Sequence, residues 1–217
     1  MIYFNNKPYD AKELTIFGAG ELLTQLRSHL VKAGITLLNI FDDTLPGEGH
    51  NIAKYAQQTP VCFDLLYCVG YKDMRARFRR FNEVKAMGFK PLAFIEGSVV
   101  ISDESYVGNG TIIKQGAIID DFVTIGECSF VNIGAMISHH AVIGEDVYIS
   151  PGANICGYAV VNEGVFIGAN ATVIDHVVIG KYATIAAGAV VIADVPPHSL
   201  AAGNPAVIKK INGRRTI

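Results

Sequence analysis

A period of six governs the second half of this 217-residue chain. Every sixth position from 95 to 191 is isoleucine or valine, seventeen in succession, beginning Ile95, Ile101, Val107 and ending Ile179, Ile185, Val191. Four places after each stands a small or β-branched residue, running from Val99 through Thr111, Ala135 and Ala153 to Val195. An amphipathic helix repeats its apolar face every 3.6 residues and a half-buried strand every 2, so neither accounts for the pattern. Three hexads that close into a triangular coil do account for it. The branched residue fills the inside of a flat face, and the small residue fits where the chain turns a corner. Stacked coils bury one continuous core, and the expected fold of residues 95–195 is a left-handed parallel β-helix, followed by a C-terminal tail over 196–217.

Residues 1–94 follow a different rule. Short apolar runs alternate with helical stretches, as in βαβ units built on a parallel sheet. The run Leu14-Thr15-Ile16-Phe17 reads as a first strand, with Gly18-Ala19-Gly20 after it and a helix over residues 21–33 that stops at Gly34. A second strand spans residues 35–41 and ends on Asp42-Asp43, a third spans 65–69 and ends at Gly70, and a helix over 73–87 closes at Gly88. Residues 91–94 complete a small Rossmann-like α/β domain.

A formal charge of -2 provides no cationic field for a phosphate backbone, which argues against nucleic acid as a partner. No run approaches the ~18 apolar residues of a membrane helix, and the first residues lack a basic region followed by an apolar core. The expectation is therefore a cytoplasmic protein without membrane association. Four scattered cysteines, Cys62, Cys68, Cys128 and Cys156, form no CxxC pair and read as reduced thiols.

Several segments carry a more specific likeness. They are Ile16-Phe17-Gly18-Ala19-Gly20, Phe41-Asp42-Asp43, residues 131–140 (VNIGAMISHH), Ile149-Ser150-Pro151-Gly152-Ala153 and Ala202-Gly203-Asn204-Pro205-Ala206. Together they resemble the NeuD/PglD type of left-handed β-helix acetyltransferases, which modify amino sugars on nucleotide carriers or sialic acid. The resemblance implies an acetyl-CoA-dependent N-acetyltransferase acting on a UDP-, dTDP- or GDP-linked 4-amino-6-deoxy or 3-amino sugar for surface polysaccharide or glycan synthesis. It also implies a homotrimer with sites between subunits and no metal.

By that resemblance His139 falls on the catalytic base. The chemistry agrees, since acyl transfer to an amine must remove a proton from the attacking nitrogen and imidazole titrates near neutral pH. Two positions depart from the family pattern. His140 stands where relatives often carry an acidic residue beside the base, and Tyr148 stands where a second histidine contacts the acetyl carbonyl. A phenol can still donate to that oxygen. Asn132 matches a family position beside the base. Gly157, eighteen residues after His139, is the expected backbone N–H donor to the thioester oxygen, with further coenzyme contacts at Ala186, Ala187 and Gly188 and Pro205 near the adenine. In the N-terminal domain the resemblance places the nucleotide against Gly18, Ala19 and Gly20, with Asp42 and Asp43 beside the base and Gly70, Tyr71 and Lys72 closing over it. A strand-to-helix glycine turn can also hold an anion on its N–H groups, although a full GxGxxG is absent. Lys72, Arg75, Arg77, Arg79, Arg80 and Lys85 crowd the following helix and read mostly as a solvated face.

Other readings remain open at this level. O-acetylation of sialic acid or another sugar hydroxyl keeps the chemistry and changes the acceptor. A zinc enzyme of the γ-carbonic-anhydrase kind shares this helix, and His140 and His176 are two coils apart on one face. A non-enzymatic scaffold would use the prism for assembly alone. Cys156 could be imagined as an acyl carrier, but direct attack explains the same residues without it.

Overall fold

The computed structural model describes residues 3–4, 7–8, 13–42, 44, 51–53, 64–70 and 73–209. The chain separates into two compact units, Met1–Glu96 and Gly97–Ile217. Among the described residues no helix is long and apolar enough to cross a membrane.

In the first unit, β3 (Glu13–Phe17), β4 (Thr36–Phe41), β5 (Asp64–Tyr67) and β6 (Lys90–Pro91) form a parallel sheet in the order β4-β3-β5-β6. Four of the five residues of β3 are buried, which is the pattern of a central parallel strand covered on both faces. Helix α1 (Glu21–Lys32) buries Leu22, Leu23, Leu26 and Leu30. It ends at Ala33, with Gly34 in the left-handed region at φ 76°. Helix α2 (Met74–Ala86) starts at Asp73, whose side chain accepts from the Ala76 N–H at 2.9 Å.

The expected strand over 91–94 is in fact two. β6 pairs in parallel with β5, whereas β7 (Phe94–Ile95) pairs antiparallel with β1 (Tyr3–Phe4), which also pairs with β2 (Lys7–Pro8). Proline inside an apolar run supplies no ladder donor, so the sheet bond beyond Pro91 comes from the Leu92 N–H to the Leu65 carbonyl at 2.9 Å.

The second unit is the expected left-handed β-helix. Its strands are two residues long and pair in parallel with the strand eighteen residues on, as Ile113 with Val131 and Val131 with Ile149. The column Ile113, Val131, Ile149, Ile167, Ile185 is fully buried, and so are Ala135, Ala153, Ala171 and Ala189. Where the small interior position is Thr111 or Ser129, its hydroxyl donates to the Gly126 or Gly144 carbonyl at 2.8 and 2.9 Å, satisfying a polar group inside the prism.

The corner itself lies one place earlier than the small residue. Phe122, Cys128, His140, Asp146, Tyr158, Asn170, His176 and Tyr182 all stand three places after the branched residue and have φ between 51° and 61°, and Gly116, Gly134, Gly152, Gly164 and Gly188 fill the same position elsewhere. Each of these corners is a turn with one left-handed residue.

The last coil is shortened by two residues. Val195 pairs with Ile179 and Ala201 with Ile185, a spacing of sixteen. Val195, expected to be a small-position residue of the hexad at Val191, is therefore an inward face residue, and His198 three places later takes the left-handed corner at φ 58°. The terminal strands Leu200–Ala202 and Val207–Lys209 then pair antiparallel.

Ile149→Ala is expected to cost the solenoid about 3 kcal/mol, because it removes three side-chain carbons and opens a void between Val131 and Ile167 that rigid coils cannot close; denaturant unfolding against the parent chain measures it.

Candidate active site

The three edges of the prism carry different residues. The first edge follows the face of Val131, Ile149 and Ile185 and holds Asn132 and Ala186, Ala187 and Gly188. The second follows Ile137 and Ile155 and holds His139, His140 and Gly157. Tyr148 belongs to the first face, beside Ile149. The site residues expected from sequence thus fall into two groups with a full face between them.

On the second edge His139 is exposed but closely held. Its N–H donates to the Asp120 carboxylate at 3.2 Å, and its Nδ1 lies 3.3 Å from the Nδ1 of His140. Its ring stands edge-on, at 85°, to both His140 and Tyr158. Gly157 lies beneath it one coil on. A Cβ at Gly157 would sit 2.8 Å from Cε1 and 3.0 Å from Nε2 of His139, so only glycine leaves the imidazole its place. Among the described residues the Gly157 N–H has no acceptor, while its carbonyl accepts from the His176 N–H at 3.1 Å.

His140 belongs to a ladder of rings at the left-handed corner. Phe122, His140, Tyr158 and His176 follow one another at centroid separations of 4.9, 4.7 and 5.0 Å. A left-handed corner costs a non-glycine residue roughly 1–2 kcal/mol. Ring contacts of this kind return roughly 0.5–1.5 kcal/mol each, enough to hold bulky side chains there. The ladder also bears on the zinc reading, because the Tyr158 ring fills the space between His140 and His176. No group of three or more metal-binding side chains occurs among the described residues.

On the first edge Asn132 is a full face away from His139 within one chain. Its Oδ1 accepts from the Ile133 N–H at 2.8 Å and its Nδ2 donates to the Tyr148 hydroxyl at 2.9 Å. Tyr148 is stacked between Phe130 and Phe166 at 5.3 and 5.2 Å. Its oxygen accepts from Asn132. Gly188 is a left-handed corner and Ala186 and Ala187 precede it. Pro205 is exposed, and flanking it the Gly203 carbonyl accepts from Val190 while the Ala206 N–H donates back to Val190.

Cys156 adjoins Gly157. Burial pushes its thiol up from the usual range and the Asp175 carboxylate pushes the same way, so the thiolate needed of an acyl carrier is disfavoured.

The first unit contains a cavity of about 580 Å³ at the carboxyl ends of β3 and β5, where the chain switches from one side of β3 to the other. Gly18, Gly20, Asp42 and Gly70 are among its lining. Gly18 has φ 103°, and a Cβ there would lie 2.7 Å from the Cys68 carbonyl carbon. One expectation is corrected. The Ala19 N–H is not open to an anion, because Asp42 accepts from it at 2.7 Å and also holds the Thr44 N–H at 2.9 Å. Asp43, Tyr71 and Lys72 lie outside the described residues. Phe17, Glu21, Gln25, Thr44 and Arg80 also line the cavity, and sequence reasoning missed them. Arg80 lies over the Phe17 ring at 5.1 Å and pairs with Glu83 at 2.8 Å. Arg77 is buried, its Nε donating to the Val69 carbonyl at 3.2 Å, so neither belongs to a solvated face. Their three-residue spacing on α2, toward the strand ends, was the available signal.

A family model, bacterial transferase hexapeptide (six repeats), matches residues 158–193, within the solenoid. No curated protein matches it by sequence. Among solved structures it is similar to PerB from Caulobacter crescentus in complex with CoA and GDP-perosamine, with 27% identity over 91% of this chain and 97% of that one and a TM-score of 0.81. It is similar to a histidine-to-alanine mutant of GDP-perosamine N-acetyltransferase from the same organism, also with CoA and GDP-perosamine (26%, 92% and 97%, TM-score 0.80). The acetyltransferase domain of PglB from Neisseria gonorrhoeae in complex with acetyl coenzyme A is a third (25%, 91% and 99%, TM-score 0.77). The likeness spans both units, and it bears out the resemblance to sugar acetyltransferases stated from sequence.

Gly157→Ala is expected to leave the melting temperature nearly unchanged and to lower acetyl transfer by tenfold or more, because the added methyl displaces the His139 ring. Thermal unfolding and a free-thiol assay on the same preparation separate the two effects. Iodoacetamide labelling of Cys156 is expected to accelerate only at pH above the ordinary thiol range, as followed by mass spectrometry.

Proposed function

We propose that this protein is an acetyl-CoA-dependent N-acetyltransferase that acts on the amino group of a nucleotide-linked amino-deoxy sugar, with His139 as general base. The observation that carries the reading is the setting of His139 on an open edge, its Nε2 turned across a side-chain-free Gly157 and its Nδ1 engaged by His140. Full-length similarity to enzymes solved with CoA and GDP-perosamine supports the choice of co-substrate and acceptor class.

In the reaction the sugar amine attacks the thioester carbonyl carbon. A C–N bond forms, the C–S bond breaks, His139 Nε2 takes the proton from nitrogen, and that proton passes to the departing CoA thiolate. The Gly157 N–H and the Tyr148 hydroxyl donate to the acyl oxygen as it gains charge. Since Tyr148 and the segment of Ala186, Ala187 and Gly188 are a full face away from His139 in one chain, a complete site takes its second half from a neighbouring copy. This is the arrangement of a homotrimer with coenzyme between subunits and Pro205 near its adenine. The cavity of the first unit receives the nucleotide. Its volume suits a ligand of that size, Asp42 accepts from ribose or base donors, and Arg80 adds a cation to the lining.

The test is a panel of UDP-, dTDP- and GDP-linked amino sugars and free sialic acid incubated with acetyl-CoA while free thiol is followed. Turnover is expected with an amino-sugar nucleotide, and activity confined to hydroxyl acceptors would overturn the reading. His139→Ala should lower turnover by about 10²–10⁴ with the fold intact by circular dichroism.

A further inference from the structure

Two imidazole nitrogens that face one another share one proton between them. The Nδ1 atoms of His139 and His140 are 3.3 Å apart, so in the neutral pair one ring donates and the other accepts. The alternatives have opposite consequences. If His140 donates, His139 carries its own proton on Nε2 and has no lone pair there for an attacking amine. If His139 donates, Nε2 is left unprotonated at the open face of the ring.

We infer that His140 is a positioning residue that holds His139 as its Nδ1–H tautomer and so leaves Nε2 as the basic atom. The inference rests on the reading of His139 as general base. His140 is suited to the task because its own ring does not rotate freely: it is sandwiched between Phe122 at 4.9 Å and Tyr158 at 4.7 Å, the latter nearly parallel at 17°. Its left-handed corner, φ 59°, fixes the direction in which the ring leaves the backbone. The His139 ring is confined as well: it is edge-on to both ladder rings, the backbone N–H of its residue is tied to Asp120, and Gly157 lies beneath it. Tautomer control by a fixed hydrogen-bond partner on the other ring nitrogen is the usual way a histidine is made a base at a chosen atom. Here the partner is an imidazole in place of a carboxylate.

The ladder makes a clean variant available. His140→Phe removes the accepting nitrogen and retains a ring at a corner where Phe122 already adopts the same backbone conformation one coil below. His140→Asn restores an acceptor oxygen at a corner type that Asn170 occupies. The readouts are ¹⁵N spectra of the histidine side chains in the full chain, assigned with His139→Ala, together with kcat and KM for acetyl-CoA from free-thiol release using the best acceptor of the panel. Wild-type His139 is expected as the Nδ1–H form. In His140→Phe it should lose that form, with kcat reduced about tenfold or more and KM within about twofold, and His140→Asn should recover part of kcat. A wild-type His139 protonated on Nε2, or a His140→Phe protein with the tautomer and kcat unchanged, would overturn the inference. Equal losses in both variants with the His139 tautomer unchanged assign His140 to packing and also overturn it. Full activity in His139→Ala would instead remove the base reading, while the wild-type spectrum would still decide the tautomer, even if neither His140 variant folded.

Discussion

Backbone N–H groups of each coil donate to carbonyls of the next, and this ladder imposes a constant offset of eighteen residues through most of the solenoid. Ser138 N–H to Ile155 carbonyl at 2.8 Å and Tyr148 N–H to Val165 carbonyl at 2.9 Å are two of its rungs, each reaching the residue just before the strand partner eighteen places on. The offset puts residue i directly against residue i+18 on every face and at every corner. Interior columns of Ile and Val, hydroxyls capped inside the prism, the four-ring ladder and the close approach of Gly157 to His139 are consequences of that one register. A slip of one residue would turn the inward column outward along its whole length. The shortened last coil shows the rule at work, since the offset falls to sixteen there and Val195 and His198 still take the inward and corner positions of the local frame.

The same register explains how a chain with no protruding loop in its repeat builds chemistry. Side chains that point out of a corner are brought together only with others of the same edge. His139, His140, Asp120, Gly157 and Tyr158 are therefore a group, and Asn132 and Tyr148 are another, with a face between. No local rearrangement could join them in one chain, because the faces are held straight by parallel hydrogen bonds on both sides. The other unit has quite different physics, a parallel sheet whose switch point opens a cavity between Gly18, Asp42 and Gly70.

How much of this was legible follows from how local each feature is. The prism and the βαβ unit were readable because their signals are periodic: seventeen branched residues at a spacing of six, and glycines closing α1 and α2. The stacking of Gly157 on His139 could be counted out by adding eighteen, and Asp120 could have been found by subtracting it from Ser138. The division of residues 91–94 between two sheets was not readable, since an apolar run does not say which edge it will join. Nor was the burial of Arg77, because a cationic stripe on a helix looks the same whether it meets water or a carbonyl.

By itself the sequence determined the repeat and the register, since these depend on spacing and side-chain type alone. Only the tertiary structure decided which nitrogen of His139 faces His140, that Asn132 serves Tyr148, and that Asp42 occupies the Ala19 N–H meant for an anion. Those outcomes depend on directions of rings and lone pairs at separations near 3 Å, and direction is settled by packing rather than by order along the chain.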